Sequence, residues 1–198
     1  MTRLLREFYT HHDSISAARA LLGKTLFVRS AEDVLCAGKI CETEAYHAPE
    51  DRASHAFGGR RTPRTEIFYA EGGRAYVYLI YGMYFNLNVI VGAEDVPHCV
   101  LIRAVEPVVN IEAMRERRKT AKDKNLTSGP GKLTIARGIN KSFYGEDFCT
   151  SERIWIEDAP AVEDSEIACG KRVGIEYAAE YAEKLWRFWI KDNPFVSR

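Results

Sequence analysis

Apolar and polar positions alternate with two different periods along this chain, and the stretches of each period mark its elements. Ser14 to Leu22 (S-I-S-A-A-R-A-L-L) carries helix formers behind Asp13 or Ser14 as N-cap and ahead of Gly23, so a helix is predicted there. Thr25 to Arg29 and Val34 to Tyr46 read as strands joined by the polar turn S-A-E-D, a hairpin. The loop from His47 contains Pro49, Gly58, Gly59 and Pro63, and regular structure is not expected before about Glu66. Ala75 to Ile80 and Phe85 to Val91 are two more strands around Y-G-M-Y, where Gly82 permits a tight turn flanked by Tyr81 and Met83. Cys99 to Val105 is apolar enough for a central strand, and Pro107 is expected to end it. Arg103 interrupts that run and needs a carboxylate or a phosphate beside it. A helix with a basic face is predicted within Val108 to Lys119, a second begins at G-P-G-K-L (Gly129 to Leu133), a third lies around Ala178 to Lys184, and L-W-R-F-W-I (Leu185 to Ile190) reads as a strand.

Composition narrows the possibilities. With 198 residues, 46% of them hydrophobic, the chain supports one sizeable core, and a single domain over 1–198 is expected. The 28 basic residues balance 28 acids, so a nucleic-acid partner must be gripped by a local patch rather than a global field. Five cysteines without C-x-x-C spacing, and no apolar leader after Met1, predict free thiols and an intracellular protein, in cytoplasm, nucleoid or nucleus and not secreted. No run of 18 apolar residues occurs, so no membrane span is expected.

The candidate chemistry begins at I-C-E-T-E-A-Y (Ile40 to Tyr46). On an extended strand Glu42, Glu44 and Tyr46 share one face, with the two carboxylates roughly 7 Å apart. Facing a pocket, one of them becomes a general-base candidate; facing water, they are a solvated edge. Four tyrosines between Tyr76 and Tyr84, His55 in a loop, the strand Arg103 and scattered basic runs are suited to stacking a flat ring and activating water beside it. A metal-dependent nuclease or hydrolase with Glu42, Glu44, Asp51 and His55 as ligands, a non-catalytic reader of damaged DNA, and a sugar-cleaving hydrolase are competing readings.

The ordered motifs L-L-G-K-T-L (Leu21 to Leu26), E-T-E-A-Y (Glu42 to Tyr46), E-D-R-A-S-H (Glu50 to His55), G-G-R-R-T-P-R (Gly58 to Arg64), Y-V-Y-L-I-Y-G-M-Y-F-N-L-N (Tyr76 to Asn88), V-L-I-R-A-V-E-P (Val100 to Pro107), G-P-G-K-L and R-V-G-I (Arg172 to Ile175) span nearly the whole chain. Through them the sequence resembles the alkyladenine (3-methyladenine) DNA glycosylases. The resemblance implies a mixed α+β domain, a curved antiparallel sheet flanked by helices with a protruding hairpin for DNA insertion. It also implies a monofunctional base-excision enzyme, monomeric, with no metal or other cofactor. The partner would be double-stranded DNA bearing damaged purines: 3-methyladenine, 7-methylguanine, hypoxanthine or ethenoadenine. By position, Glu44 corresponds to the general base, and Arg103 and the Val173 carbonyl to the groups that hold the attacking water. Tyr46, His55 and Tyr78 correspond to the residues that contact the flipped base, and Asn88 to the guard against guanine. Tyr81 corresponds to the wedge in the minor groove. Met83, Arg60, Arg64 and Lys132 are expected to touch DNA, and Glu42 is expected to be structural, paired with an arginine. Tyr84 stands where the family often carries His.

Overall fold

The sheet is built outward from β2 (Leu35–His47), a thirteen-residue strand that needs partners along both edges. One edge is covered from Ala37 to His47 by β5 (His98–Val109). The other is shared: β1 (Thr25–Arg29) pairs with Leu35 to Lys39, and β8 (Arg187–Ile190) pairs with Glu42 to Glu44. The computed structural model describes residues 2–197. Beyond β5 lie β4 (Tyr84–Val91) and β3 (Ala75–Ile80), beyond β1 lies β6 (Ile154–Glu157), and β7 (Ile167–Gly170) pairs with β8. Every pairing is antiparallel, giving an open eight-stranded sheet in a mixed α+β fold.

Alternation decides which face of β2 does what. Thr43 and Ala45 face the core, where the Thr43 hydroxyl donates to the Ala18 carbonyl at 2.8 Å and ties down α2 (Ser14–Ala20). Asp13 caps that helix by accepting from the Ser16 amide at 2.7 Å, as its sequence position predicts. Leu21, Leu22, Leu26, Ile40, Val100 and Ile102 complete the core beneath it. A shorter α1 (Arg6–Thr10) precedes it; α3 (Ile111–Arg118) packs on α4 (Pro130–Arg137), which in turn covers β4 and β5.

Two expectations are corrected. Pro107 does not end its strand: β5 continues to Val109 because Pro107 sits opposite Gly38 at a register shift, and a bulge is where a ladder tolerates a missing N–H. Gly38 is required there, since a Cβ would collide with the Glu106 carbonyl and the buried Arg137 guanidinium. Glu176–Glu183 is no α-helix but a broken 3-10 stretch with Ala179 at φ 51°. The helix expected within Val108 to Lys119 is present as α3, which starts after Asn110, whose φ of 60° turns the chain out of β5.

Candidate active site

Four strands and two loops converge on a cavity of about 520 Å³, within the range of ligand pockets. Tyr46 of β2, Tyr78 of β3, Asn88 of β4, Arg103 of β5, His55 and Val173 all line it. Sequence reasoning had named these six from distant motifs, and the fold brings them together.

Glu44 lies directly behind the wall. Its carboxylate is fully buried and is held by three groups that themselves line the cavity. The Tyr46 hydroxyl donates to Oε2 at 3.0 Å, the Val173 amide donates to Oε1 at 2.8 Å, and the Arg103 guanidinium stands 3.2 Å from Oε1. Val173 therefore meets Glu44 through its N–H, a contact distinct from the carbonyl role expected of it. Burial followed by the charge of Glu44 pushes the Tyr46 phenol well above its ordinary value, so it stays a donor.

Glu42 is occupied differently. Its Oε1 accepts from Arg103 Nε at 2.8 Å and Arg187 Nε at 2.7 Å, which is the arginine pairing expected of it. Burial alone would pull the Arg103 guanidinium down, but Glu44 and Glu42 together raise its pKa and keep it a cation. Two carboxylates facing two guanidiniums make a buried cluster whose charges cancel.

Arg172 is a site residue that the sequence does not single out, and Asp51, a candidate metal ligand by sequence, is its partner instead. Both side chains are fully buried, and the pair shares two hydrogen bonds. The Arg172 guanidinium lies 4.7 Å from the Tyr46 ring centroid and 5.1 Å from that of Trp186, so it backs the Tyr46 ring and fixes its plane. Among the described residues no group of three His, Cys, Asp or Glu side chains is arranged to hold a metal. The four ligands a metal site would have used are committed elsewhere: Glu42 faces Arg103 and Arg187, Glu44 faces Tyr46, Val173 and Arg103, Asp51 faces Arg172, and His55 faces Tyr76.

His55 Nδ1 lies 2.8 Å from the Tyr76 hydroxyl, which also accepts from Arg64 Nε at 3.1 Å. Burial, then the nearby Arg64 and Arg60, push the imidazole down to about 4, so the ring is neutral near pH 7. Its edge meets the Tyr78 ring at 4.7 Å and 76°. Tyr76 is core as well as site, buried and stacked 5.2 Å from Tyr78. Asn88 is also buried and donates to the Tyr76 carbonyl at 3.1 Å, which fixes its amide at the wall.

Tyr81 and Met83 stand on the β3–β4 turn, 78% and 67% exposed. Tyr81 and Gly82 have φ of 53° and 67°, both left-handed, and Met83 N–H closes the turn on the Ile80 carbonyl at 3.2 Å. A second cavity of about 330 Å³ adjoins the first and is lined by Arg52, Arg60 and Arg64 together with Ser54, His55 and Tyr177. Lys132 lies outside both; it is exposed on α4 and donates to Ser128 at 3.4 Å, one residue from Gly131 at the cavity edge.

A family model described as Methylpurine-DNA glycosylase matches residues 7–194 of the chain. A protein of Natranaerobius thermophilus named "Putative 3-methyladenine DNA glycosylase" is 47% identical over 195 residues, covering 96% of each chain. Proteins of the same name from Clostridium novyi and Clostridium perfringens (strain SM101) are 47% and 48% identical, covering 100% and 99% of each chain.

Proposed function

The chain belongs to the methylpurine-DNA glycosylase family, and on that premise we propose that it flips a damaged purine into the 520 Å³ cavity and hydrolyses its glycosidic bond with a water activated by Glu44. It is a DNA glycosylase acting in DNA repair. The observation that carries the mechanism is the ring of contacts on one fully buried carboxylate, Tyr46, Arg103 and Val173, each of which also faces the cavity.

The flipped ring stacks on the cavity side of Tyr46, whose other face is taken by Arg172. Tyr78 and His55 line the same chamber. His55 Nδ1 is engaged by Tyr76 and its Nε2 lies 3.4 Å from Arg64 Nη2, so the neutral imidazole is held at the chamber wall with its ring toward the base. As the ring stacks, the Tyr46 hydroxyl yields its position on Glu44 Oε2 to water. Glu44 then takes the proton while the water oxygen bonds to C1′ and the C1′–N bond breaks, its electron pair leaving with the base. A 3-methyladenine or 7-methylguanine ring arrives cationic and departs neutral, so no separate acid is needed for it. Arg103 stays beside Glu44 throughout and holds the water from the other side.

Exposure of Tyr81 at the tip of a closed turn fits a wedge that enters the vacated base step. The three arginines of the smaller cavity fit the phosphates next to the flipped nucleotide. A metal-dependent nuclease is disfavoured by the donor set, since Asp51 and Glu42 are committed to arginines.

The test is incubation with methylated duplex and with a hypoxanthine-containing duplex, in excess EDTA. Free purine should appear, together with sites that break only on treatment with alkali. Direct strand cleavage, or release that stops on chelation, would overturn the reading.

A further inference from the structure

Glu42, Arg187 and Ser197 form a cluster behind Arg103 that lies outside the cavity and has no part in the chemistry described so far. Ser197 is buried, and it touches both members of the Glu42–Arg103 pair. Its hydroxyl accepts from Arg103 Nη2 at 3.1 Å and donates to Glu42 Oε1 at 2.8 Å, while its amide donates to Glu42 Oε2 at 2.6 Å. A hydroxyl has one proton and two lone pairs, so both contacts are satisfied at once. Arg187, which lies opposite Glu44 in the β2–β8 register, donates from Nε to Glu42 and from Nη2 to the Ser197 carbonyl at 2.8 Å.

The loop after β8 is pinned so that Ser197 stays there. Asn193 Nδ2 donates to Glu106 Oε2 on β5 at 3.0 Å, and Asn193 Oδ1 accepts the Phe195 amide at 3.0 Å. The Arg103 guanidinium is thus gripped on two edges, Nε by Glu42 and Nη2 by Ser197, and its third nitrogen, Nη1, is left turned to Glu44. One contact would let the planar group pivot; two fix its plane.

We propose that Ser197, supported by Arg187, is a positioning residue that orients Arg103 toward the attacking water. This rests on the hydrolytic reading of the Glu44 site. A misplacement of about 1 Å in such a group costs as much as about 100-fold in rate, so loss of one of two restraints should cost about 30-fold.

The experiment measures single-turnover excision of ethenoadenine from a duplex at saturating protein, alongside the duplex Kd and the thermal midpoint. Ser197→Ala should lose about 30-fold in rate with Kd unchanged within about twofold and a midpoint within about 2 °C, and Ser197→Thr, which keeps Oγ, should recover most of the rate. Arg187→Gln, which drops the bonds to Glu42 and to the Ser197 carbonyl, should show the same split between rate and affinity, and it stands as the test should Ser197→Ala not fold. Parent-like excision by these variants, or rate, affinity and midpoint falling together without rescue by Thr, overturns the proposal. A parent chain that excises nothing overturns both the clamp and the hydrolytic reading, whereas an active parent with unaffected variants overturns the clamp alone.

Discussion

Glu42 and Glu44 are two positions apart on one strand, and their bonding partners separate their roles. Glu42 accepts from Arg103, Arg187 and both donors of Ser197, and neither it nor Arg187 nor Ser197 lines the cavity. Glu44 Oε2 accepts one hydrogen bond, from a phenol that also forms the stacking surface. If that hydroxyl only holds the place of water, Tyr46→Phe should excise within about threefold of the parent, because its charge-assisted hydrogen bond to Glu44 is already given up to water before the reaction. A hundredfold loss would make the hydroxyl a proton relay instead. His55 provides a second check. Burial pushes its ring down to about 4, so an NMR titration should find its midpoint well below that of a free imidazole. Between pH 5 and 7 the excision rate should carry no inflection that His55→Gln removes.

The β3–β4 hairpin has a local cost built into its tip. A left-handed φ of 53° at Tyr81 is disfavoured for an L-residue by about 1–2 kcal/mol, whereas Gly82 next to it is at ease. Replacing Tyr81 by Asn, which tolerates that conformation, should leave urea stability unchanged or raise it by up to about 1 kcal/mol, yet weaken lesion-duplex binding about tenfold as one stacking surface is lost. Weaker folding with unchanged binding would contradict the assignment of the turn. Elements of this kind were legible in the chain because Y-G-M-Y between two alternating runs specifies a hairpin by local chemistry. The same holds for α2, with its cap at Asp13 and Gly23 after its end. What was not legible depends on distant partners. Pro107 looks like a strand end until Gly38 supplies a bulge opposite it, Ile154–Glu157 becomes a strand only because β1 has a free edge, and Glu176–Glu183 is bent by Ala179. Six cavity residues were nameable from motifs. The partners that orient them lie far off in the chain, Ser197 94 positions from Arg103, and the roles of Arg172, Arg187 and Ser197 emerge only in the fold.

At the scale of the whole molecule, zero net charge leaves DNA affinity to a few local cations. Arg60→Ala should lower the slope of log affinity against log salt by about one and weaken damaged and undamaged duplex alike; an unchanged slope would remove Arg60 from the DNA contact. Folding also carries a pH signature. His98, stacked 3.9 Å from His47, is pushed down to about 4 by burial and then by that neighbour, and His55 is lowered likewise. Both rings are depressed in the folded chain, so the unfolded chain binds more protons between about pH 6.5 and 4. Stability from these rings is intact above about pH 6.5 and falls as the solution is acidified toward 4, so urea midpoints should drop from pH 7 to pH 5, less steeply in His98→Gln. The central claim is tested most directly by Glu44→Gln in single-turnover excision with the lesion-duplex Kd measured in the same samples. A loss of about 1,000-fold or more in base release with binding kept within a few fold is the predicted result; release at a tenth of the parent rate or faster would contradict it.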